Sequence, residues 1–125
     1  MRFTHSSGLG IEILQPGDGP SIAVGRTAVV HYTGWLATEG GGKGTKFDST
    51  RDRSSVFTVS NIGEGRVIRG WNVGIPENRR FPGMKVGEKR RLLIPAKLAY
   101  GELGRPPLIP PDTPLVFEVE LLEIR

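Results

Sequence analysis

The sequence predicts an α+β domain, an antiparallel β-sheet packed on one short α-helix, and three observations carry that expectation. Segments rich in β-branched and aromatic residues outnumber any helical pattern. The 18 Gly and 10 Pro among 125 residues supply the turns between them. The one helical segment, Arg69 to Ile75, is stopped by Pro76 and weakened by Gly70 and Gly74. A chain of this length suits one compact domain burying roughly two-thirds of its unfolded surface, so a single domain over residues 1–125 is expected, with 1–8 as a flexible N-terminal extension.

Taken in order, residues 10–15 are the first strand candidate. Residues 28–33, Ala-Val-Val-His-Tyr-Thr, form a second that ends at Gly34. Residues 37–46 read as a flexible polar insertion with four glycines, Gly40, Gly41, Gly42 and Gly44. Strands follow at 56–60 and, after the helix and a loop from Ile75 to Gly83, at 88–94. There Lys89-Arg90-Arg91 reads as the solvated end of a strand whose apolar part is Leu92-Leu93-Ile94. The loop from Ala99 to Pro114 keeps Leu108 and Ile109 amid Pro106, Pro107, Pro110, Pro111 and Pro114, a stiff rim over a groove rather than a linker. The last strand, 115–124, alternates Leu115, Phe117, Val119 and Leu121 with Val116, Glu118 and Glu120, the signature of a half-buried strand.

Composition excludes several chemistries. With no Cys there is no disulfide framework, thiolate metal site or cysteine nucleophile. With His5 and His31 as the whole imidazole supply, a histidine-rich metal site or a Ser-His-Asp triad has almost nothing to draw on. No apolar run approaches a membrane span and the first residues lack the apolar stretch of a secretory signal, so a soluble, cytoplasmic protein is expected. Residues 66–105 carry ten basic side chains against three acidic ones. The aromatic residues there do not interleave with those charges in the way single-strand binders require, so a solvated face is favoured over a nucleic-acid surface. Two glycine-rich stretches fail as phosphate loops: Gly42-Lys43 is followed by Gly44 instead of Ser or Thr, and Gly63-Glu64-Gly65 reaches Ile68 where a third glycine belongs.

What remains is a set of aromatic residues beside isolated polar ones: Tyr32, Phe47-Asp48, Arg53, Phe57, Trp71, Tyr100 and Phe117. Each alone fits core packing, and Asp48 with Arg53 fits a surface ion pair of little weight. Grouping most of the aromatics would instead line one cavity, and spacing does not decide between the two.

Six blocks in fixed order do decide. Val29-Val30-His31-Tyr32-Thr33-Gly34, Lys46-Phe47-Asp48-Ser49-Thr50-Arg51-Asp52-Arg53, Val67-Ile68-Arg69-Gly70-Trp71, Ala99-Tyr100-Gly101, Ile109-Pro110-Pro111 and Leu115 to Leu122 together resemble the FKBP family of peptidyl-prolyl cis-trans isomerases, the macrolide-binding immunophilins. The resemblance spans about residues 8–125. It implies a sheet curled around the short helix with a prolyl pocket between them. It makes Tyr32, Phe47, Asp48, Tyr100 and Phe117 the expected catalytic residues, and Arg53, Phe57, Val67, Ile68, Trp71 and Ile109 the expected substrate- and macrolide-binding residues. Tyr32 and Phe47 would be walls, Trp71 the floor, Phe117 the back, Val67 and Ile68 the rim, with Arg53 orienting Asp48. The Ile68 N–H and the Tyr100 hydroxyl would hold the peptide's carbonyls.

No metal or cofactor is expected, because rotation about an Xaa–Pro bond cleaves nothing. The expected partners are proline-containing peptides and unfolded proteins, with macrolides such as rapamycin as inhibitors, no membrane or nucleic acid, and a monomeric state. Two other readings stay open: a non-catalytic peptide-binding module of the same fold, and a basic protein associated with nucleic acid. Val59, where the family often has a second aromatic, is expected to thin one pocket wall. Arg105 is expected to put a cation at the mouth and favour acidic residues beside the proline.

Overall fold

Alternation of side chains along the strands builds one sheet with one buried face, and a computed structural model describes it over residues 2–4, 7–79 and 82–125. Seven strands lie in it: β1 (Arg2–Thr4), β2 (Gly10–Gln15), β3 (Ala28–Ala37), β4 (Lys43–Ser49), β5 (Phe57–Val59), β6 (Lys89–Ile94) and β7 (Leu115–Ile124). Their order is β1-β2-β6-β7-β3-β4, with β5 pairing the first residues of β3, and every pairing is antiparallel. One short helix, α1 (Arg69–Gly74), packs on β6. The α+β class expected from strand-rich segments and one proline-stopped helix is the observed one.

Several local expectations change. The segment expected as an extension contains β1, whose backbone pairs Arg2 with Glu12 and Thr4 with Gly10. His5 lies outside the described residues, as does Arg80. Gly34 does not end β3: the strand continues to Ala37, pairing Gly34 with Phe117 on one side and Asp48 on the other. The supposed insertion at 37–46 is the end of a hairpin. Ala37 pairs with Lys43, and the turn closes through Thr38 N–H to Gly42 O and Gly41 N–H to Thr38 O, both 2.9 Å. Polar, glycine-rich composition reads equally as coil or tight turn, and here cross-strand pairing selects the turn.

Lys89-Arg90-Arg91 is not uniformly solvated. Strand alternation puts Arg90 on the same face as Leu92 and Ile94, and its side chain is fully buried. There Arg90 Nε donates to Glu88 Oε2 at 2.6 Å, and Nη1 donates to Gly74 O and Pro82 O, each at 3.0 Å. On the opposite face Arg91 pairs with Glu118 at 2.8 Å and Glu12 at 3.1 Å, while Arg51 pairs with Glu120.

The core lies between sheet and helix, with Ile11, Val30, Leu92, Ile94, Leu115 and Leu121 essentially inaccessible. α1 approaches β6 through two glycines one turn apart. A Cβ on Gly70 would sit 2.6 Å from Ile94 Cγ2, and one on Gly74 would sit 2.9 Å from Leu92 Cδ2. The residues that weaken the helix in isolation are those that let it lie against the sheet. Ile75 N–H closes the last turn on Trp71 O at 3.1 Å before Pro76.

Candidate active site

Strand register brings the aromatics together. Tyr32 on β3 pairs with Val119, and Phe117 two residues earlier on β7 pairs with Gly34, so Tyr32 and Phe117 are near neighbours across β3 and β7. Phe57 comes from β5, Phe47 from β4 and Trp71 from α1. Trp71 has ring centroids 5.1 Å from Tyr32, 5.4 Å from Phe117 and 6.0 Å from Phe57, all near edge-to-face. Phe47 meets Phe117 edge-on at 5.6 Å. Such contacts add about 0.5–1.5 kcal/mol each beyond area burial, so the rings form a rigid wall.

Gly34 makes this cluster possible. A Cβ there would lie 2.6 Å from Phe47 Cζ and 2.8 Å from Phe117 Cε1, so its hydrogen leaves the space both rings use. Spacing offers no sign of this role, since it arises from the register of three strands.

Over the rings lies a cavity of about 550 Å³, lined by Tyr32, Phe47, Asp48, Phe57, Val67, Ile68, Trp71, Tyr100, Ile109 and Phe117, together with Arg66 and the Arg105–Leu108 stretch. Ten of the eleven residues singled out from the sequence therefore line one cavity. The eleventh, Arg53, stands behind it. Val59 shares its face of β5 with Phe57 but is buried in the core and is not among the residues that line the cavity. Arg66, Pro106, Pro107 and Leu108 also line it: Arg66 carries no signal in the sequence, whereas the other three fall in the proline-rich stretch 99–114, expected to be a rim over a groove.

The polar edge is organised around Asp48. The Tyr32 hydroxyl donates to Asp48 Oδ2 at 2.5 Å, Arg53 Nη1 donates to Asp48 Oδ1, and Arg53 Nη2 donates to the Tyr32 oxygen at 3.2 Å. Burial works to raise the Asp48 carboxyl, but the Tyr32 and Arg53 hydrogen bonds and the Arg53 charge outweigh it and hold the group below the usual carboxylate range. Burial, reinforced by the bond to Asp48, pushes the Tyr32 phenol up. At neutral pH the trio is therefore a carboxylate, a neutral phenol and a guanidinium. Thr50 pins Tyr32 from below: its Oγ1 accepts the Tyr32 N–H at 2.9 Å, and its own N–H donates to Tyr32 O at 3.0 Å.

The rim loop is closed on itself. Arg105 N–H donates to Ile109 O at 2.8 Å and Ile109 N–H returns to Arg105 O at 3.0 Å. Gly104 takes a positive φ of 63°, and a Cβ there would strike Ile109 O at 2.5 Å. Arg105 Nη1 donates to the Tyr100 hydroxyl at 3.2 Å, leaving the phenolic proton able to donate elsewhere. The Ile68 N–H, at the start of α1, has no partner among the described residues.

An antiparallel sheet packed on one short helix thus holds an aromatic cavity with a Tyr–Asp–Arg edge, the form of a binding or reaction pocket for an apolar group. Residues 19–122 match the family described as FKBP-type peptidyl-prolyl cis-trans isomerase, and the chain belongs to that family. The chain is 47% identical over 117 residues to a protein named FK506-binding protein from Neisseria meningitidis serogroup B, covering 94% of this chain and 96% of that one. It is 49% identical over 115 residues to FK506-binding protein 1 of Saccharomyces cerevisiae, covering 91% and 90%. Among solved structures, AtFKBP13 superposes with a TM-score of 0.87 at 36% identity, covering 100% of this chain and 99% of that one. FkpA from Escherichia coli superposes with a TM-score of 0.79 at 35% identity, covering 99% of this chain and 51% of that one. The enzyme is thus a peptidyl-prolyl cis-trans isomerase. Among the described residues no helix is long and apolar enough to cross a membrane.

Proposed function

We propose that the aromatic cavity is where the enzyme takes an Xaa–Pro bond of a peptide or unfolded protein and lowers the barrier to its rotation, so assisting folding. The observation that carries this reading is the convergence of Tyr32, Phe47, Phe57, Trp71 and Phe117 on one cavity of about 550 Å³. Its size and apolar walls suit a proline ring with its flanking peptide groups.

Rotation must break amide resonance against a barrier of about 18–20 kcal/mol, and it takes roughly 10–100 s unaided. The planar amide is strongly dipolar, and the twisted amide has lost part of that charge separation. A dry apolar well therefore disfavours the planar ground state more than the twisted transition state. The Tyr100 hydroxyl and the Ile68 N–H are free to hold the flanking carbonyls and keep the bound chain in the twisted form. Asp48, held as a carboxylate by Tyr32 and Arg53, supplies a fixed dipole at the edge of the well. It abstracts no proton, since the reaction moves none. The same well is read as the site of macrolides, in keeping with the names of the relatives from Neisseria and yeast.

The test is cis–trans exchange in a capped Leu-Pro peptide followed by NMR. Acceleration that rapamycin abolishes, and that Phe117→Ala or Tyr32→Ala reduces at least tenfold in folded protein, is the expected result. Exchange indistinguishable from buffer overturns it and leaves a peptide-binding module of the same fold.

A further inference from the structure

We infer that this isomerase selects Xaa–Pro bonds flanked by acidic side chains, with Arg66 and Arg105 as its specificity-determining residues. The inference rests on the cavity being the prolyl site. Both side chains line that cavity, from two separate segments: Arg66 immediately precedes Val67 on the way into α1, and Arg105 sits in the proline-rich loop.

Other basic side chains, among them Arg69, Lys85 and Lys97, also form no salt bridge among the described residues, but only Arg66 and Arg105 line the cavity. On the outer face of the sheet Lys43 and Arg91 pair with Glu118, Arg91 also with Glu12, and Arg51 with Glu120. Among the described residues neither Arg66 nor Arg105 forms a salt bridge, and both are exposed. Asp48 is the one carboxylate among the lining residues, and Arg53 and Tyr32 already engage it. The mouth therefore carries two guanidinium charges with no carboxylate of the protein bound to them. A cleft lined by one sign of charge concentrates ligands of the other sign.

Arg105 is also held in place. Its backbone is tied reciprocally to Ile109, its Nη1 donates to the Tyr100 hydroxyl at 3.2 Å, and its guanidinium lies 5.6 Å from the Tyr100 ring centroid. With the proline in the aromatic well and its flanking carbonyls at Tyr100 and Ile68, the chain leaves past Arg105 on one side and past Arg66, two residues before Ile68, on the other. A Glu or Asp side chain next to the proline then meets a planar fork suited to carboxylate.

The experiment compares three peptides, acetyl-Ala-Xaa-Pro-Ala-amide with Xaa as Glu, Gln or Lys, by NMR exchange at neutral pH. The expected order of kcat/KM is Glu, then Gln, then Lys, with Glu over Gln by roughly two- to fivefold, the scale of exposed charge contacts. That ratio should fall toward one at about 1 M salt, where the screening length shrinks to roughly 3 Å. It should also fall toward one in R66Q/R105Q and invert in R66E/R105E. Because each ratio is taken on one preparation, partial unfolding of a variant cancels. Acceleration of the Gln peptide with no preference for Glu overturns acid selection and leaves the prolyl site intact. A preference that survives R66Q/R105Q overturns the assignment to these residues. Failure to accelerate any of the three peptides overturns both the selection and the prolyl-site reading.

Discussion

Asp48 is the residue at which charge and shape meet. Its carboxyl is held down by two donors, so it stays ionised through the range where ordinary carboxylates titrate, near pH 4. The sign follows: a depressed folded value means the trio's contribution is complete above the ordinary carboxylate range and is lost as pH falls through the depressed value. Isomerase kcat/KM is therefore expected to be flat from pH 8 to about pH 5, with stability failing only under stronger acid, as a pH series of exchange rates and urea midpoints would show. D48N keeps the shape and removes the charge, and a loss of about tenfold in kcat/KM, near 1.4 kcal/mol, is expected. An unchanged D48N rate alongside an inactive Y32A would reduce Asp48 to a structural part. The Asp48–Arg53 pairing was legible from the Phe-Asp-Ser-Thr-Arg-Asp-Arg block once the family resemblance was seen. Gly34's role was not, because its neighbours Phe47 and Phe117 are distant in sequence.

At the scale of elements, α1 shows why helix propensity misleads. Gly70 and Gly74 cost the isolated helix up to about 1 kcal/mol each against alanine. In the folded chain they face Ile94 and Leu92 at distances that exclude any Cβ. Gly70→Ala is accordingly expected to destabilise by about 1–3 kcal/mol through overpacking, despite the gain in propensity, and to raise KM by displacing Trp71. Urea unfolding of Gly70→Ala in wild-type and Ile94→Ala backgrounds checks this: the penalty should shrink when Ile94 is truncated, since the two sites are in contact. The strand cores were readable from alternation and β-branching, and β2, β6 and β7 fall within a residue of expectation. The ends were not. β3 runs past Gly34 and the hairpin replaces the expected insertion, because backbone pairing across β3, β4 and β7 supplies hydrogen bonds that local composition does not announce.

Across the whole molecule, Arg90 joins three parts of the chain that the sequence keeps apart. From β6 it reaches the end of α1 through Gly74 O, the loop after the helix through Pro82 O, and the turn before β6 through Glu88. Glu88 in turn accepts the Lys85 N–H at 3.0 Å, so the buried carboxylate is itself shared with the turn. Removing one partner leaves an uncompensated charge inside, and E88Q is expected to lose about 3–5 kcal/mol by urea unfolding. Replacing both residues together, as E88L/R90M, should lose markedly less, because no isolated charge is then buried. A double variant no more stable than E88Q would mean that the ties to Gly74 and Pro82, rather than the ion pair, hold this junction.

By itself the sequence determined the α+β class, the strands that alternate, the absence of thiol chemistry, and six ordered motifs from which ten cavity-lining residues could be named. The class, the strands and the missing thiols are local, written in neighbouring residues and their period, whereas the ten residues were named only through the resemblance of the motifs to a known family. Only the tertiary structure decided that Arg90 lies inside while Arg91 faces out, that Gly34 makes room for two rings, that Val59 is buried without reaching the cavity, and that Arg66 joins Arg105 at the mouth. Each of these depends on which distant segment lies opposite, a matter of register and packing that no window along the chain contains.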